Sequence, residues 1–191
     1  LTSIDIPRSV SAIGESAFFN SGLTSISIPE AVTNIGNSTF SNCGYLASVT
    51  LHDGITHIGE QAFAFCSQLN AIELPQNLAS IGKSAFANIG LTTVIIPDKV
   101  TDIGENCFST CNQLSSITAI KNVGSNVVGS CPLLTSIVWN ATKANDFNSS
   151  FLSYDNQIET FTFGDNVEYI PDNLCEQMSK LTSVTIPDKV T

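Results

Sequence analysis

Apolar residues recur along this chain on two periods at once. Within short stretches such as Leu23-Thr-Ser-Ile26-Ser-Ile28, aliphatic and polar residues alternate, which is the pattern of a strand with one buried face. On a longer period the whole stretch returns. Leu1-Thr-Ser-Ile4-Asp-Ile6-Pro7 reappears as Leu23 to Pro29, as Leu91-Thr-Thr-Val94-Ile-Ile96-Pro97 and as Leu181-Thr-Ser-Val184-Thr-Ile186-Pro187. Units begin at Leu1, Leu23, Leu46, Leu69, Leu91, Leu114, Leu134, Ile158 and Leu181, at spacings of 22, 23, 23, 22, 23, 20, 24 and 23 residues. That makes eight units and the first eleven residues of a ninth. The shared pattern is L-x-x-I-x-I-P-x-x-V-T-x-I-G-x-x-A-F-x-x-C followed by two spacer residues.

Each repeated position has a physical reason. Positions 4 and 6 face inward from a strand whose positions 3 and 5 are polar. Position 7 is Pro7, Pro29, Pro75, Pro97 and Pro187; proline has no N–H to give a ladder, so the strand ends there at a corner. Positions 10 and 13, for example Val32 with Ile35 and Val100 with Ile103, predict a second extended stretch with an inward face. Position 14 is Gly14, Gly36, Gly59, Gly82 and Gly104, where the backbone needs either a positive φ or a close approach. In A-F-x-x-C, Phe18, Phe40, Phe63, Phe86 and Phe108 stand three residues before position 21. That spacing predicts a short helical or 3-10 turn with its apolar side inward.

No single unit of this kind buries its own apolar side, whereas stacked units share a continuous column of Leu, Ile and Phe. The expectation is one β-rich solenoid over residues 1–191, about 40 Å long at ~4.8 Å per coil, with the helical turns on its outer side. The pattern loosens between 119 and 157. Ala119 replaces a large aliphatic, Trp139 takes a position 6, and Asn140 to Asn156 reads as a looped-out insertion. Pro171 stands where Gly is usual.

Composition refines this picture. Apolar residues are 42% of the chain and charged residues only 13%, about half the usual share, and Ser and Thr together are 42 of 191. The net charge is −10, which argues against a nucleic-acid or anionic-membrane partner. No apolar run approaches the ~20 residues that span a bilayer. The chain opens on Leu1 without a signal sequence and shows no polar caps, so it reads as a segment of a longer protein or as one that associates end to end.

With these residues in view, the chain resembles the BspA-type leucine-rich repeats, also called the Treponema pallidum type, whose unit is about 23 residues long. Leu23 to Gln113 carries the pattern closely, the units from Leu1 and Ile158 well, and those from Leu114 and Leu134 weakly. The resemblance implies a right-handed, curved leucine-rich-repeat array of about eight coils. It also implies display outside the cell or on its surface, binding of host or cell-surface partners in the manner of an adhesin, and no shared catalytic site.

The candidate binding surface is the strand face. Positions 3 and 5 place Ser25, Ser27, Ser48, Thr50, Glu73, Thr93, Ile95, Ser116, Thr118 and Val138 on it. Stacked Ser and Thr are good strand formers that keep a sheet wettable. Glu73, Ile95 and Val138 are the distinctive side chains among them. A shallow face of this kind suits a protein or glycan better than a small molecule. The alternative is an architectural spacer or stalk, with recognition elsewhere in a larger protein.

Other motifs read as structure. Cys43, Cys66, Cys107, Cys111, Cys131 and Cys175 fall at core positions and are expected as buried free thiols; Cys107-x-x-x-Cys111 lacks the further ligands of a zinc site. His52 and His57 are expected at the surface or at corners, with no nucleophile motif beside them. Gly82-Lys83-Ser84 lacks the upstream glycine of a phosphate loop. Carboxylates recur singly at position 8 (Glu30, Asp53, Asp98, Asp165, Asp188) and position 15 (Glu15, Glu60, Glu105, Asp172), a solvated edge rather than an acidic site. Sequons begin at Asn37, Asn140 and Asn148 and matter only in a secreted eukaryotic chain. No cofactor is expected.

Overall fold

In the computed structural model, the residues described are 2–120, 126–140, 157–165, 167–170, 174–176, 178–188 and 190. Most of the expected insertion from Asn140 to Asn156 lies outside them, as do Asn148 and Pro171. The fold is a β-solenoid. One side is built from β1 (Ser25–Ser27), β3 (Ser48–Thr50), β6 (Thr93–Ile95), β8 (Ser116–Ile120), β9 (Ser136–Trp139), β10 (Thr160–Phe163) and β11 (Ser183–Thr185). A second side carries the two-residue strands β2 (Asn34–Ile35), β4 (His57–Ile58), β5 (Ser80–Ile81) and β7 (Asp102–Ile103). All pairing is parallel, and the register is the repeat itself: Ser25 opposite Ser48, Asn34 opposite His57, Ser116 opposite Ser136.

Alternation places the core as the sequence requires. Ile26, Val94, Ile117, Ile137 and Phe161 at position 4 are buried, as are Leu23, Leu46, Leu69, Leu91 and Leu114 at position 1. The corner after the strand is a turn closed on position 7. Val32 N–H donates to Pro29 O at 2.9 Å and Val100 N–H to Pro97 O at 3.1 Å, so the residue that cannot donate is used as an acceptor.

The third side corrects an expectation. A-F-x-x-C forms no helix or 3-10 turn; no helix occurs among the described residues. Successive N–H groups take turns instead. Ser16, Phe18 and Asn20 donate to the next coil, at Asn37, Thr39 and Ser41, while Ala17, Phe19 and Ser21 donate three residues back. A helix needs every donor for its own chain, and here every second donor is spent on the neighbour. The geometry puts two non-glycine residues per coil at positive φ, as in Ser16 with Asn20, Ser38 with Asn42 and Ser84 with Asn88. Asparagine tolerates this best; bulky Phe65 at φ 63° and β-branched Thr110 at φ 55° are the outliers. The phenylalanines then stack in a ladder from Phe18 to Phe108, with ring centroids 5.3 to 5.4 Å apart and planes within 10°.

The cysteines and glycines gain specific roles in this packing. Thiols of Cys43, Cys66, Cys111 and Cys131 donate to the carbonyls of Phe18, Phe40, Phe86 and Phe108 at 3.0 to 3.2 Å, so each buried thiol has an acceptor in the preceding coil. All six cysteines are free, five buried and Cys175 half-buried. Among the described residues no glycine has a positive φ, so close approach alone explains position 14. A Cβ on Gly82 would lie 2.7 Å from Glu60 N, and one on Gly104 would lie 2.4 Å from Lys83 N, whereas Gly14 has nothing within 4 Å.

Two predictions follow from this packing. Gly82→Ala and Gly104→Ala should each cost about 1–3 kcal/mol, while Gly14→Ala leaves urea unfolding unchanged or slightly later; equal effects at all three sites would refute the close-approach account. Burial, with Cys43 beside it, pushes the Cys66 thiol up from 9.0 to about 12, and burial also raises Cys107 and Cys175. The unfolded chain therefore releases thiol protons near pH 9 that the folded chain keeps, so stability is lost as pH rises through that window. The urea midpoint should fall from about pH 8 to about pH 11, and fall less in Cys66→Ser, which keeps a donor for Phe40.

Candidate functional site

The strand face carries the residues expected there, at two levels of exposure. Ser25, Ser27, Ser48, Thr50, Glu73, Thr93 and Ile95 are exposed, whereas Ser116, Thr118 and Val138 are half-buried. Strand position accounts for the difference. β8 and β9 are interior to a five-stranded sheet ordered β11-β10-β9-β8-β6, while β6 is its edge, so outward side chains on β8 and β9 are hemmed by rows on both sides. Val138, expected as an exposed apolar group, is thus partly covered, and Ile95 is the prominent one at 70% exposed.

The face is not uniform. The expected strand in the unit from Leu69 does not form, and the strand side divides into the β1-β3 pair and the five-stranded sheet. At the break lies a cleft of about 1040 Å³, with Leu51, Ile72 and Ile95 among its apolar lining and Pro75 and Pro97 at its corner. Glu30, Asp53, Glu73 and Asp98 also line it. A shallow face with single, separated carboxylates was the expectation; instead position-8 side chains of the second, third and fifth units line one cleft with a position-5 side chain of the fourth. Asp53 accepts from Gln76 N–H at 2.8 Å and its carbonyl accepts from the Asn77 amide at 2.9 Å, so one coil's acid anchors the next coil's corner. Asn140, the second sequon residue, also lines the cleft and is half-buried.

His52 belongs to the same corner, where other coils have proline. Its Nε2 bonds Pro29 O at 3.0 Å and its Nδ1 accepts from Gly54 N–H at 3.1 Å, with Glu30 Oε2 at 3.4 Å from Nδ1. Both ring nitrogens are thus held by backbone, which makes His52 a corner brace rather than a general base. His57 lies on β4, away from the strand face, bonded to Thr56 and Asn34. The position-15 carboxylates join ladders on another edge: Glu15 accepts from Asn37 at 3.1 Å, and Glu105 pairs with Lys83 at 2.9 Å. Among the described residues no cluster of His, Cys, Asp and Glu is placed to hold a metal, and no helix is long and apolar enough to cross a membrane.

Comparison with known proteins agrees with this architecture. The sequence profile of the BspA type leucine-rich repeat region matches residues 1–115 and 90–191 with six copies, fewer than the eight units read from the spacing; the units from Leu114 and Leu134 lack A-F-x-x-C. No curated protein matches the chain in sequence. Among solved structures, a leucine-rich repeat protein from Bacteroides ovatus is similar over the whole chain at 26% identity and TM-score 0.71, and the match covers 56% of that protein. A T. pallidum leucine-rich repeat protein shares the fold over 97% of this chain and 85% of its own, at 24% identity and TM-score 0.66. A leucine-rich repeat protein from Eubacterium ventriosum shares it over 88% of this chain and 49% of its own, at 19% and 0.57. From the 22–23-residue register, the Phe and Cys ladders and the profile that spans its length, the chain belongs to the BspA-type leucine-rich repeat family.

Proposed function

We propose that the chain is a non-enzymatic binding module, secreted or displayed on a cell surface, that contacts proteins or glycans of a host or of another cell through its strand face. The observation that carries this reading is Ile95. A β-branched apolar side chain stands 70% exposed in the middle of a Ser/Thr surface, and it adjoins the only break in the strand rows among the described residues. Scattered exposed apolar residues need no explanation, but one that borders a large cleft with half-buried Leu51 and Ile72 is an anchor suited to a partner. Membership of a leucine-rich-repeat family, whose arrays offer extended surfaces rather than catalytic pockets, supports the same reading.

The strand-face reading is tested by binding of the chain to immobilised extracellular-matrix proteins and to whole cells. Thr50→Lys, Thr93→Lys and Thr118→Lys in one variant should weaken binding about tenfold or more without changing the circular dichroism. Asn34→Lys with Ser80→Lys, on the opposite strands, should not. Unchanged binding in the first variant refutes the face, and no binding by the parent chain favours the spacer role.

A further inference from the structure

The break in the strand face leaves backbone without partners. From Ala71 to Leu74 no N–H or C=O bonds any other backbone group, although the same positions pair in the coils on either side, β3 with β1 and β6 with β8. Contacts resume immediately on either side, with Thr92 N–H on Asn70 O at 3.3 Å and Leu78 N–H on Pro75 O at 3.0 Å. The coil is therefore held at both ends, with Leu69, Leu74 and Leu78 buried, and open between them. The opening also uncovers side chains. Val49, Leu51 and Ile72 are half-buried, while Ile26, Ile28, Val94 and Ile96 at the same repeat positions are buried.

Unpaired main chain, an apolar strip and a rim of carboxylates coincide here. Glu30, Asp53, Glu73 and Asp98 line the cleft, and among the described residues no lysine or arginine does. Unsatisfied strand backbone favours an added strand, whose amides bond the row and whose alternate side chains point to opposite sides. Apolar side chains on one side of such a strand would meet Leu51, Ile72 and Ile95, and cations on the other would meet the rim. A second copy of this chain, at a net charge of −10, is electrostatically unsuited to that rim. We propose that the cleft at the fourth unit docks an extended, cationic and apolar peptide segment of a partner protein by strand addition to Ala71–Leu74. The proposal rests on the strand-face reading and narrows it to one coil and one class of partner.

The test uses the whole chain and a fluorescent peptide of about ten residues alternating Val and Lys. Anisotropy should report binding that drops about tenfold in Glu73→Lys and in Ile95→Thr, and that is lost when alternate peptide amides are N-methylated. Hydrogen exchange at Ala71–Leu74 should be fast in the free chain and slowed by the peptide. Equal binding of a Val/Glu peptide, indifference to N-methylation, or unprotected amides would each overturn strand addition. If Thr118→Lys weakens the peptide and Glu73→Lys does not, the cleft assignment fails while the strand face stands; if neither matters, the cleft assignment fails and the strand face is decided by its own matrix and cell binding. A glycan that binds in a Glu73-dependent way, with no peptide binding, also overturns the proposal.

Discussion

The structure depends on one interaction, the backbone hydrogen bond from each coil to the next. It recurs on all three sides: in the strand pairs, in the short second strands, and in the turn segment where Phe40 N–H reaches Ala62 O at 2.8 Å and Phe63 N–H reaches Ala85 O at 2.8 Å. Because these bonds join residues 19 to 25 positions apart, the repeat length is a mechanical requirement. A one-residue slip within a unit would turn its inward aliphatics outward. The stacked rings at 5.3 to 5.4 Å are a consequence, since coils held at hydrogen-bonding distance place identical side chains face to face.

That constraint also explains residue choices that hydrophobicity alone leaves open. Glycine at position 14 lets the backbones of adjacent coils come together at a corner, as the short Cβ distances at Gly82 and Gly104 show. Cysteine at position 21 is small enough for the core and still donates to a phenylalanine carbonyl. Where Ile89 replaces it the thiol donor is absent, and the column continues on packing alone.

The candidate binding cleft lies where the constraint lapses. In most coils the strand row is closed and offers Ser and Thr to solvent, a surface with little to grip. At the fourth unit the row opens, apolar side chains are uncovered, and acids of the second, third and fifth units line one cleft with Glu73. A repeat architecture makes such a place conspicuous, because every neighbouring coil shows what the closed state looks like.

The sequence by itself determined the solenoid, the register and the core. Local alternation says which side chains of a strand are buried, and the 22–23-residue return says which residues pair, so Ser25 against Ser48 could be read before any coordinates. The same alternation placed Ser25, Thr50 and Thr93 outside. Only the tertiary structure decided the turn segment and the cleft. Phe and Cys three residues apart fit a helical turn when one chain is considered, yet half the donors in that segment belong to the next coil. Glu30, Asp53 and Asp98 look solitary because each stands alone in its own unit, and no local pattern reports that the ladder between their coils is missing. Both features arise from contacts between residues more than twenty positions apart, which a linear pattern encodes only when it repeats without exception.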